Sequence, residues 1–140
     1  MTANREGGDE MGESVGGVSA TLARHGGLSY LEIPTVDVRK SAAFDAKVVG
    51  WYVDGLDINK PRFSDATGHL IGRWDTHLAV AREPGLLPFI YVDDVPTAVH
   101  AAVANGGEIV KAPYAEGNLL VATVRDPAGN VIGLWQEASQ

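Results

Sequence analysis

The sequence contains no cysteine. This removes disulfides, thiolate metal sites, iron–sulfur clusters and a cysteine nucleophile together. Any metal would have to be held by His, Asp or Glu, and there are only four His: His25, His69, His77 and His100. None is at ligand spacing from another, so all four read as surface residues. Basic residues are also scarce. Eleven Lys and Arg face eighteen Asp and Glu, a formal net charge of −7. That balance excludes a basic face for nucleic acid and adhesion to an anionic membrane. Long apolar runs are missing too. The longest, Leu86 to Val92, falls far short of a bilayer span. The N-terminus has no apolar core of a signal peptide, so the expected location is the cytoplasm.

What the chain does have is glycine, seventeen in 140 residues. Seven lie in the first 27 residues, beside Glu6, Asp9, Glu10 and Glu13 and with no aromatic. Such a stretch buries too little apolar area to offset its ordering entropy. Residues 1–26 therefore read as a flexible acidic tail, and 27–138 as one folded domain.

Within that domain the patterning repeats. Leu28–Pro34 alternates as a strand. Asp37 caps a helix over Val38–Val48, which Gly50 stops. Short strands follow at Trp51–Val53, Pro61–Ser64 and His69–Trp74. Pro88–Val92 then starts a second cycle. Asp94 caps a helix over Val95–Ala104, and strands lie at Glu108–Val110, Leu119–Val124 and Asn130–Trp135. Asp37-Val38…Gly50 matches Asp94-Val95…Gly107. Asp65-Ala-Thr-Gly-His-Leu-Ile-Gly-Arg-Trp74 matches Asp126-Pro-Ala-Gly-Asn-Val-Ile-Gly-Leu-Trp135. The offsets differ by four residues, which places a longer connection around Ala112–Asn118. Two βαβββ modules, 28–80 and 86–138, imply an α+β fold: a curved eight-stranded sheet, helices on one side, a concave cleft on the other.

Several stretches carry a resemblance to the vicinal oxygen chelate superfamily, the glyoxalase and bleomycin-resistance-like proteins. They are Tyr30-Leu-Glu-Ile-Pro34, Asp37–Phe44, Gly50-Trp51, Pro88–Val95, Gly106-Gly107 and Asp126-Pro-Ala-Gly-Asn-Val-Ile-Gly-Leu-Trp-Gln136. The resemblance spans about residues 28–137. It implies an aromatic at the position held by Asp45, and Asp45 is expected to be half-exposed and solvated. It also implies metal ligands at four places, which here are Tyr30, Gly72, Leu87 and Gly133. A phenol, an alkyl chain and two glycines cannot supply the three or more N or O⁻ donors a divalent metal needs. No metal and no cofactor is therefore expected at that place. Homodimers are common in the family, and a homodimer is expected.

Strand parity counted from those ligand positions puts Tyr30, Glu32, Leu70, Gly72, Trp74, Leu87, Phe89, Tyr91, Val131, Gly133 and Trp135 on the cleft. Leu31, Ile33, Ile90, Val92, Ile132 and Leu134 fall on the helix-covered face, where Arg73 breaks the apolar pattern and is expected near a strand end. The cleft set is aromatic, with glycines where ligands would stand. It predicts metal-independent binding of a small hydrophobic or aromatic molecule, as in drug-sequestering relatives. The alternative is an enzyme, of lyase, isomerase or cyclase type, that uses Glu32 as acid or base. Among apolar neighbours Glu32 would have a raised pKa. Paired with an arginine such as Arg62 or Arg73, it would instead be structural.

Overall fold

A computed structural model describes residues 14–15 and 18–138. Residues 1–13 and 16–17 of the expected tail lie outside the described residues. Two short strands, β1 (Ser14–Val15) and β2 (Val18–Ser19), pair antiparallel. Contacts with the domain begin before residue 27. Thr21 Oγ donates to the Gly68 carbonyl at 3.2 Å, and Leu22 is buried.

Module one comprises β3 (Tyr30–Pro34), α1 (Val38–Val49), β4 (Tyr52–Asp54), β5 (Arg62–Ser64) and β6 (Ile71–Asp75). Module two comprises β7 (Phe89–Tyr91), α2 (Val95–Ala104), β8 (Glu108–Glu116), β9 (Leu119–Arg125) and β10 (Val131–Glu137). The eight strands form two four-stranded sheets, ordered β3-β6-β5-β4 and β7-β10-β9-β8. In each sheet the first strand runs parallel to the last, which the crossover helix requires. No longer connection exists at Ala112–Asn118. Those residues extend β8 into a nine-residue edge strand with two register shifts, closed by a tight turn at Gly117.

The helix ends form as local chemistry dictates. Asp37 accepts from the Lys40 N–H at 3.1 Å and Asp94 from the Thr97 N–H at 2.8 Å. Gly50 closes α1 at φ 75°, a left-handed conformation that disfavours side chains with a Cβ.

Helix α1 serves both modules. Ala42 faces Trp51, Phe63 and Trp74 of module one. Phe44 and Val48 enter the core of module two, against Val95, Ala98, Val99, Ala102, Val124 and Leu134. Complete burial of Phe44 contributes about 2–3 kcal/mol toward holding the modules together. A polar bridge adds to this: the Asn130 side-chain amide donates to the Pro34 carbonyl at 2.8 Å.

Asp45 is not solvated. It is buried, and its carboxylate accepts from the Trp74 indole N–H at 2.9 Å. The helix turn that points Phe44 into module two also points Asp45 inward, where the indole meets it. Burial pushes the Asp45 carboxyl up from 3.8 to about 7, against the lowering effect of the Trp74 bond; the nearby Asp126 charge pushes the same way as burial. Asp126 is also buried and raised, chiefly by desolvation. Its oxygens accept from the backbone of Ala128, Gly129 and Asn130 and from the Asn130 amide.

Candidate functional site

The two sheets present different faces because their last hairpins differ by one residue. In module two the Asp126 N–H donates to the Asn130 carbonyl; in module one the Asp65 N–H reaches one residue further, to Leu70. The two parallel pairings agree with this. Glu32 and Phe89 each stand five residues before their helix cap; Glu32 pairs with Arg73, and Phe89 with Gly133. Arg73 is therefore the counterpart of Gly133, and Leu70 the counterpart of Asn130. A one-residue slip sends every following side chain to the opposite face.

This corrects the expected parity of β6. Trp74 and Gly72 border the module-one cleft, but the Trp74 side chain and the Cβ direction of Gly72 belong to the core side. Trp74 is buried at 5.1 Å from Phe63, which stacks on Trp51 at 4.6 Å. A Cβ on Gly72 would collide with the Leu31 carbonyl and come to 2.5 Å from the Phe63 ring. Leu70 is in the turn. Ile71, Arg73 and Asp75 take the open face, and Arg73 stands in mid-strand rather than at a strand end.

The parity expected for the other strands holds. Tyr30 and Glu32 share the open face with Arg73, while Leu31 and Ile33 pack into the core. Phe89, Tyr91, Gly133 and Trp135 share the open face of module two, while Ile90, Ile132 and Leu134 pack on the helices. Gly133 does not leave space. The Phe89 ring rests on it, and any Cβ there would enter the ring. Tyr91 and Trp135 meet edge to face at 4.9 Å. Leu87 lies ahead of β7 in an exposed segment.

Glu32 lacks the apolar surroundings that would suit an acid–base role. Its carboxylate accepts from Arg73 Nε at 3.1 Å and is one-third exposed. Arg73 also bonds Asp75 at 3.2 Å. Asp75 is held below the ordinary carboxylate range, first by the His77 backbone N–H at 2.8 Å and then by the Arg73 charge. Arg73 is raised by its hydrogen bond and charge interaction with Glu32. The Glu32–Arg73 pair is one of the two arginine pairings the sequence left open. That Asp75 joins it was not legible, and an arginine on a supposedly buried face was the one sign of the register change.

An open cleft of about 1590 Å³ lies over module one. Tyr30, Tyr52, Arg62, Ile71, Arg73 and Asp75 are among the residues lining it. The aromatic group of module two does not line it.

The glyoxalase-like domain family matches residues 30–135. The chain belongs to this family. It is similar in fold to a glyoxalase/bleomycin resistance protein/dioxygenase family enzyme from Burkholderia phytofirmans PsJN, at 24% identity over 79% of this chain and 98% of that one, TM-score 0.59. A glyoxalase family protein from Bacillus cereus shows 16% identity, 81% and 95% coverage and a TM-score of 0.64. TioX from Micromonospora sp. ML1 shows 18% identity, 80% and 99% coverage and a TM-score of 0.58. No curated protein matches the chain.

Metal-dependent members of this fold imply four ligand positions. After the register correction these are Tyr30, Arg73, Leu87 and Gly133. A guanidinium repels a cation, and the two nearest carboxylates, Glu32 and Asp75, are bound to that guanidinium. Among the described residues, no group of three or more His, Asp or Glu could hold a metal. The donor set does not fit the family's metal. Among the described residues, no helix is long and apolar enough to cross a membrane.

Proposed function

We propose that this glyoxalase-like protein binds a small organic molecule, with a flat or aromatic body, on its concave face without a metal. The observation that carries the reading is the replacement of the implied ligand set by Tyr30, Arg73, Leu87 and Gly133, beside a large open cleft. Tyr30, Tyr52 and Ile71 supply apolar contact area. The Glu32–Arg73–Asp75 array supplies directed hydrogen bonds on a rigid strand. In this reading Glu32 holds the guanidinium in place and moves no proton. Calorimetric titration with a panel of heteroaromatic compounds tests it. Micromolar binding unchanged by EDTA is expected. Binding that appears only after adding a divalent first-row metal, or no binding across the panel, overturns it.

A homodimer is part of the proposal. Leu86, Phe89 and Tyr91 leave apolar surface exposed on module two, which a second copy would cover. Light scattering should give twice the chain mass, and a monomeric mass contradicts it.

A further inference from the structure

The cleft is the part of this acidic protein where positive charge collects. Arg39, Lys60, Arg62 and Arg73 line it, against Asp37, Asp54 and Asp75. Even with Glu32 added, the cleft is neutral, and the rest of the chain carries the whole −7. The partners matter more than the count, because every one of these acids is engaged. Asp37 caps α1, Asp54 bonds Arg62 at 3.2 Å, Glu32 bonds Arg73, and Asp75 bonds Arg73 and the His77 backbone.

The cations are not all engaged. Among the described residues no carboxylate pairs with Arg39 or Lys60. Both belong to the same end of the cleft. Arg39 Nη donates to the Leu56 carbonyl at 3.3 Å, which ties α1 to the loop that carries Lys60. That loop is itself closed by the Lys60 N–H to the Gly55 carbonyl at 2.8 Å and by the Asn59 N–H to the Leu56 carbonyl at 3.2 Å. Arg62, half exposed and paired only to an exposed Asp54, can exchange that partner at little cost.

We infer that the cleft's ligand carries a carboxylate, directed to Arg39 and Lys60 at the loop end, with its aromatic body over Tyr52 and Ile71. This rests on the binding reading above. An anionic head entering here meets two cations that no carboxylate pairs with. A cationic head meets no available carboxylate among those lining the cleft; Asp57, exposed on the same loop, is not one of them.

Three matched probes test it on the full chain by calorimetry: 2-naphthoate, 2-naphthamide and 2-naphthylmethylammonium. Naphthoate should bind tightest, by at least about fivefold over the amide, with the advantage shrinking as salt rises. The Arg39→Gln/Lys60→Gln double variant should erase that advantage and leave naphthamide affinity unchanged. Both side chains are exposed and outside the core, so the fold should survive. Equal affinities for acid and amide, or tightest binding of the ammonium, overturn the carboxylate inference and leave the binding reading standing. No binding by any of the three overturns both.

Discussion

Modules one and two share an order of elements, a helix cap and a turn motif, yet their open faces are chemically unlike. Module two shows Phe89, Tyr91 and Trp135 around Gly133. Module one shows Glu32, Arg73 and Asp75 around Ile71. The difference comes from one residue in a hairpin, Asp65–Leu70 against Asp126–Asn130. Side-chain parity has period two, so a single insertion exchanges a strand's core set for its surface set. A duplicated fold can thus acquire a second kind of surface without new secondary structure.

The largest effect expected from breaking this symmetry is at Asp45, which ties α1 to the core side of β6. The folded carboxyl takes its proton near pH 7 and the unfolded one near 3.8. Between those values the folded form keeps a proton that the unfolded form has lost. Stability therefore falls as pH rises from about 4 to about 7, and the contribution is flat above. The span corresponds to about 4 kcal/mol. Asp45→Asn keeps an acceptor for Trp74 and removes the ionisation. Urea melts at pH 5 and pH 8 should differ by about 2–3 kcal/mol less in this variant than in the parent chain, because only the part of the span above pH 5 is sampled.

The next effect separates the two glycines that the sequence repeat aligns. Gly72→Ala drives a Cβ into the backbone of Leu31 and the core ring of Phe63, and should cost about 3 kcal/mol. Gly133→Ala meets only the half-exposed Phe89 ring, which can swing outward, and should cost about 1 kcal/mol. Equal costs in denaturant melts would contradict the assigned faces.

The sequence made most of the fold legible because its signals were local. Asp37, Asp94 and Gly50 mark helix ends by chemistry within one turn. The strands of module two carry apolar residues on one face that match α2. The face of β6 was not legible. Its Asp-x-x-Gly-x-x-Ile-Gly-x-Trp spacing copies that of β10, so the extra turn residue was hidden, and glycine fits either face. Arg73 was the discordant residue, and it returns to solvent once the register moves by one, with Asp75 beneath it as its buried partner. Asp45 was unreadable for another reason: its partner, Trp74, lies 29 residues away and meets it only in the packed core.

Smaller effects sharpen the comparison further. Asn130→Ala removes the bond to the Pro34 carbonyl and one bond to Asp126, with an expected cost of about 1–2 kcal/mol. Its structural counterpart, Leu70, has no such bridge. Arg73→Gln should shift denaturant melts little, because the guanidinium it removes is half exposed. The same variant should weaken binding of the naphthoate probe, which calorimetry can measure separately.

The central claim, that β6 and β10 present opposite faces despite their matching motifs, can be read from one tryptophan. In a Trp51→Phe/Trp135→Phe variant, Trp74 is the only fluorophore of its kind. Buried against Phe63 and bonded to Asp45, it should emit at short wavelength and resist acrylamide quenching. Red-shifted emission, quenched as readily as a cleft-facing indole in the folded variant, would contradict the account.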